Sequence, residues 1–194
     1  MSKPLRHICA RVLALTCLLA CVPAAATAAE TSTGGTSPDD PRYAPAEKAK
    51  IVNGYAIPPR NAPRRVKRAI NAANEIVDKP YKYGGGHASV EDRGYDCSGT
   101  VSYALIGAGL LKSPLPSGDF MGWAARGKGK WITVYAHGGH AYAVIAGLRL
   151  DTSAYASRIA RRKKVASSAF ERGPRWRPTS RPSRGFRVRH PVGL

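Results

Sequence analysis

The chain has 194 residues, 43% of them hydrophobic, enough for one compact domain with a real core plus extra segments but not for two full domains. A formal charge of +19 favours acidic partners such as wall polymers, anionic lipids or nucleic acid. A composition rich in Ala, Arg, Gly and Pro also fits a GC-rich genome, which raises the Arg content without any ligand, so charge by itself identifies no partner.

Residues 1–28 read as a signal peptide, because Lys3, Arg6 and Arg11 precede the apolar run Val12 to Val22, and Ala26-Thr27-Ala28 supplies the small residues of a cleavage site. Leu18-Leu19-Ala20-Cys21 offers a second reading, cleavage before Cys21 and a lipid anchor on it. Soluble export is preferred. The apolar run is shorter than the ~20 residues that span a bilayer, and no later segment would span one either. Removal of this segment takes away Cys9, Cys17 and Cys21 and leaves Cys97 as the single thiol of the mature chain, without an intramolecular disulfide. A lone thiol in an oxidising compartment is either a small buried hydrophobe or a group kept for its chemistry.

Residues 29–45 are rich in Thr, Ser, Gly, Pro and Asp and read as a flexible linker. From residue 46 to 194 a single domain is expected. Residues 46–62, broken by Pro58-Pro59, read as an irregular wrap, and whether it covers the nucleophile is open. Val66, Ile70, Ala73 and Val77 share one helical face, so a helix runs from Arg64 to Asp78 and Pro80 stops it. Tyr81-Lys82-Tyr83-Gly84-Gly85-Gly86-His87 follows as a tight backbone segment. Asp96 caps a second helix that starts at Cys97, repeats Val101, Leu105 and Ala108 on one face, and ends by Gly109 and Pro114. Strands are expected over Trp131–Tyr135, Ala141–Ile145 and Leu148–Asp151, with a hairpin turn at Ala146-Gly147, and a last strand over Phe186–Arg189. Helices first and an antiparallel sheet after give the class α+β. There is no internal repeat.

A thiol attacks carbonyl carbon as thiolate, and the positive end of a helix favours that charge and offers N–H groups to an oxyanion. His140 is the candidate base that takes the thiol proton and returns it to a leaving amine. Asp151 is placed across the hairpin to accept the imidazole N–H and fix its tautomer. Each has a plainer reading: core packing for Cys97, a surface role for His140 with His87 and His137 as rivals, and a turn with Thr152 and Ser153 for Asp151. The setting of Cys97 between Asp96 and Ser98-Gly99, after a glycine-rich turn, favours chemistry.

The run Pro80-Tyr81-Lys82-Tyr83-Gly84-Gly85-Gly86, then Asp96-Cys97-Ser98-Gly99, then Gly139-His140, resembles the NlpC-type family of cell-wall cysteine peptidases over about residues 63–152. The resemblance implies a papain-like fold, in which N-terminal helices including the nucleophile helix pack on an antiparallel sheet. It implies hydrolysis of peptide bonds in peptidoglycan stems, commonly between γ-D-glutamate and a diamino acid. It also implies Cys97 as nucleophile, His140 as base, Tyr81 on the oxyanion side, and Asp96 and Ser98 along the substrate groove. The family's third catalytic position is usually His, Asn or Gln, and here it is Asp151. No metal or other cofactor is implied, and a monomer is expected.

A second departure is the tail, in which residues 152–194 hold twelve Lys or Arg against one Glu. Arg161-Arg162-Lys163-Lys164 and the later arginines are suited to holding the enzyme on acidic wall polymers or anionic headgroups, while a solvated loop is the plainer reading. Trp176 and Phe186 indicate that part of the tail packs on the domain. Competing readings are a peptidoglycan-binding protein that does not cut, and an amidase or acyltransferase with the same Cys-His pair. A nucleic-acid binder leaves the cysteine motif and the export signal without purpose. A zinc site from Cys97, His137, His140 and Asp151 lacks the paired spacing of structural zinc.

Overall fold

A computed structural model of the chain describes residues 47–153, 173–178 and 181–194. The expected signal peptide and linker, Cys21 and the Arg161-Arg162-Lys163-Lys164 run lie outside the described residues. The described part opens with a hairpin of β1 (Lys50–Val52) and β2 (Tyr55–Ile57), where an irregular wrap was expected. The cause is local: Asn53 and Gly54 both take positive φ, as a two-residue hairpin turn demands, and these two residue types tolerate it. The hairpin is tied to the domain where the Ala49 N–H donates to the Ala146 carbonyl and the Asn74 side chain brackets the Ala56 backbone. Ala146 follows the far end of the strand that begins at His140, so these ties lie away from the nucleophile.

Helix α1 (Arg64–Ile76) starts after Pro63 and turns Val66, Ala69, Ile70 and Ala73 into the core. It ends two residues before the expected limit, with Val77 as its C-cap, because the Lys79 N–H closes back on the Ile76 carbonyl ahead of Pro80. Helix α2 (Cys97–Gly107) begins at the expected residue, and Asp96 caps it by accepting from the Gly99 N–H at 2.7 Å. A short α3 (Ser117–Phe120) and a two-residue β3 (Ala125–Arg126) follow.

The remaining strands are β4 (Ile132–His137), β5 (His140–Ile145), β6 (Leu148–Leu150), β7 (Trp176–Arg177) and β8 (Arg187–His190). With β3 they form one antiparallel sheet in the order β3-β8-β4-β5-β6-β7. The β4–β5 turn is Gly138-Gly139, so His137 and His140 face each other across it, and the β5–β6 turn is Ala146-Gly147 as expected. Alternation places Ile132, Val134, Ala136, Ala141, Ala143 and Ile145 in the core shared with Val101, Ala104 and Leu105 of α2. The alanines of β5 let α2 lie close to the sheet. The class is therefore α+β, with the helix that carries Cys97 packed on the antiparallel sheet that carries His140.

The two helices meet closely where Gly107 faces Ala72: a Cβ on Gly107 would run into the Ala72 methyl. Gly107→Ala should therefore destabilise the protein by about 1–3 kcal/mol despite the better helix propensity of Ala. Urea unfolding monitored by circular dichroism measures this, and a stabilised variant would contradict the packing.

Candidate active site

The start of α2 is fixed from two sides. The glycine-rich segment folds back on residues 94–96: the Lys82 N–H donates to the Tyr95 carbonyl, the Tyr95 N–H to the Pro80 carbonyl, and the Asp96 N–H to the Gly85 carbonyl. Gly85 and Gly99 are needed at this crossing, because a Cβ on Gly99 would strike the Gly85 carbonyl. Gly84 and Gly86 take the positive φ that sharpens the turn. The Asp96 carboxylate then ties both pieces together, accepting from the Gly84 N–H on Oδ2 and from the Gly99 N–H and Ser98 hydroxyl on Oδ1.

His87 joins this cluster, its Nε2 lying 3.1 Å from Asp96 Oδ1 and 3.2 Å from Ser98 Oγ. Asp96 and Ser98 are thus buried and bonded to each other beneath Cys97. The open flank belongs to Tyr81, 41% exposed and bridged through its backbone to Tyr95. Burial raises the Tyr81 phenol's pKa, and the nearby Cys97 and Asp96 add to the rise.

His140 stands at the start of β5, half-buried. Its Nε2 donates to Asp151 Oδ1 at 3.0 Å, which leaves Nδ1 as the second ring nitrogen, and Cys97 lies close enough to influence its protonation. Burial by itself would lower the imidazole pKa. The hydrogen bond to Asp151, the nearness of Cys97 and the charges of both outweigh it and raise the ring to about 9. The folded ring therefore adds stability that is complete below its unfolded value of 6.5 and is lost as pH climbs through about 9.

Asp151 is fully buried and follows directly on β6. Burial pushes its carboxyl pKa up, but His140, the Ser153 N–H and Arg149 together hold it below the usual value. Its Oδ1 accepts from His140 and from the Ser153 N–H at 2.8 Å. Its Oδ2 accepts from Arg149 Nη1 at 2.8 Å and from Arg181 Nη1 at 3.1 Å. Arg181 Nη1 also lies 3.1 Å from His140 Nε2, two donors converging on one carboxylate.

The two rival histidines have other partners. His137 accepts the Gly139 N–H on Nδ1 and packs at a tilt against Phe186, ring centres 4.5 Å apart, and its pKa is lowered by burial and by the charges of His140 and Arg181. Among the described residues no group of three or more His, Cys, Asp or Glu side chains is arranged to hold a metal. The structure thus brings Cys97, His140 and Asp151 together, places Tyr81 beside them and sets Asp96 and Ser98 beneath.

Arg149 and Arg181 escaped the sequence reading. Arg149 and Asp151 are two residues apart in the expected strand Leu148–Asp151, a spacing that puts them on one face, and that signal was available. Arg181 has no local signal, because it arrives from 30 residues further along the chain.

No family model matches the sequence. Over 85 residues the chain is 35% identical to the peptidoglycan endopeptidase RipB from two strains of Mycobacterium tuberculosis, a match covering 39% of this chain and 35% of the relative. The chain therefore spans about a third of the length of the curated relatives it matches. A solved structure of the peptidoglycan hydrolase RipB from Mycobacterium tuberculosis is similar with a TM-score of 0.48 at 23% identity, covering 71% of this chain and 70% of that one.

The cap makes one side chain responsible for both pieces of the site. Asp96→Ala should cost about 1–2 kcal/mol through the lost cap and slow alkylation of Cys97 as the helix start loosens. Thermal unfolding and the rate of reaction with iodoacetamide measure the two effects.

Proposed function

We propose that this chain is an exported cysteine peptidase that hydrolyses peptide bonds in peptidoglycan stem peptides. The observation that carries the reading is an imidazole that donates to a buried carboxylate and lies close to the thiol at a helix start. The homology to RipB supports a wall peptide as substrate.

In the proposed cycle the Cys97 proton passes to His140, and the thiolate attacks the scissile carbonyl carbon. The first-turn N–H groups of α2 stabilise the oxyanion, with Tyr81 on the same flank. As the C–N bond breaks, His140 returns the proton to the leaving amine. His140 then takes a proton from water, which attacks the thioester and releases the new carboxylate and the free thiol. Asp151 accepts the hydrogen bond from Nε2–H throughout, without taking the proton, and keeps Nδ1 toward the sulfur. Asp96 and Ser98 support the groove from below, and the γ-D-glutamyl–diamino acid link is the bond assigned. The Arg161-Arg162-Lys163-Lys164 run of the basic tail holds the enzyme on acidic wall polymers, and residues 1–28 direct export. Among the described residues no helix is long and apolar enough to cross a membrane.

Incubation with purified peptidoglycan and mass spectrometry of the soluble fragments tests the reading. Wild type should release stem-peptide fragments, Cys97→Ala none, and His140→Ala on the order of 10²–10⁴-fold less. Release by Cys97→Ala equal to wild type would overturn it, and absence of fragments from wild type would point to a protein that binds wall without cutting.

The pH profile gives a second test. Catalysis needs the protonated imidazole as acid, so activity should fall along an alkaline limb at about pH 9. Asp151→Asn keeps an oxygen that can accept from His140 but removes the charge that helps to raise it, and should move that limb to lower pH. A limb that stays in place would remove Asp151 from the triad.

A further inference from the structure

The third position of the proposed triad carries a full negative charge, which an amide or a neutral imidazole there would not bring. A buried carboxylate opposite an imidazolium stabilises the ring's charged form strongly. Left unbalanced, it would hold the proton that must be delivered to the leaving amine. The structure contains the counterweight. Oδ2, the oxygen turned away from the His140 bond, is occupied by Arg149 and Arg181.

The two arginines are fixed by different means. Arg149 lies on β6, 2% exposed, with its Nη1 on Asp151 and its Nε without a protein partner. Arg181 approaches from the C-terminal segment, and its guanidinium carbon sits 5.5 Å from the Tyr142 ring centre and 5.3 Å from that of Phe186. These two rings are themselves packed edge to face at 5.2 Å, and Phe186 also packs against His137. Arg181 is thus held between aromatic faces as a rigid fork, a setting that suits guanidinium better than ammonium.

We infer that Arg149 and Arg181 form a positioning clamp that holds Asp151 by Oδ2, leaves Oδ1 to His140 and the Ser153 N–H, and offsets the carboxylate charge so that His140 can release its proton. The inference rests on the triad reading above. The groups that face His140 are Cys97 from α2, His137 from β4, Tyr142 from β5, Arg149 from β6, Asp151 after it, and Arg181 from the C-terminal segment. Only Arg149 and Arg181 bring permanent positive charge. Removing Arg181 takes a cation from beside the ring and leaves Asp151 less compensated. Both changes favour the imidazolium.

The experiment is an NMR titration of the His140 ring in wild type, Arg181→Met and Arg181→Lys, with stem-fragment release measured in parallel. The Arg181→Met midpoint should rise by roughly half to one pH unit while release at neutral pH falls. Arg181→Lys, which keeps the charge, should return the midpoint toward wild type. An arginine with a merely structural role would lower the melting temperature and leave the midpoint in place, and an unmoved midpoint in folded Arg181→Met overturns the inference. If that variant does not fold, Arg181→Gln, which keeps a polar donor without the charge, makes the same comparison with the same two outcomes. The titration needs no peptidoglycan, so a wild type that releases no fragments would defeat the proposed function and leave the clamp to be decided by the midpoints.

Discussion

The site depends on one buried carboxylate. A charge without solvent is costly unless every lone pair is met, and Asp151 meets its need with four donors from three parts of the chain: His140 on β5, Arg149 and Ser153 on either side of Asp151 itself, and Arg181. Its backbone is held as well, since its N–H donates to the Arg175 carbonyl and its own carbonyl accepts from Arg177. Removing one donor leaves the rest of the charge uncompensated, so β5, β6 and the C-terminal segment must be in register together. Stability and the geometry of His140 are set by the same bonds.

This changes how the basic tail is understood. Sequence alone presents its arginines as a charge excess facing outward. Among the described tail residues, Arg175 donates to the carbonyls of Val77 and Lys79 after α1, Arg177 to the Asp151 carbonyl, and Arg181 to the Asp151 carboxylate. These cations are internal fasteners. The guanidinium's several donors suit this work, since one side chain can meet carbonyls from separate loops.

The legible parts of the fold were those written in local chemistry. The apolar spacing of α1, the Asp96 cap before Cys97, and the Ala146-Gly147 turn depend on neighbours within a few residues, and the structure has each near its expected place. The β1–β2 hairpin was equally local in Asn53-Gly54, but Pro58-Pro59 drew the reading toward an irregular segment although those prolines lie just beyond β2. The strands of two residues, β3 and β7, were hidden because pairing with a distant neighbour, and not alternation, defines them. The choice among His87, His137 and His140 was likewise tertiary. A ring nitrogen is committed by whatever faces it, which only the packed chain reveals.

The sheet order has a consequence for timing. β8, within the last eight residues, lies between β3 and β4, and Arg181 reaches Asp151 from just before it. A chain made from its N-terminus exposes Cys97 and His140 long before those pieces exist. Until residues 181–190 have been made and folded back, the sheet lacks an inner strand and the Asp151 carboxylate lacks one of its cations. The last bonds to the carboxylate are thus set by the pairing of a late segment, not by the helix and hairpin that precede it.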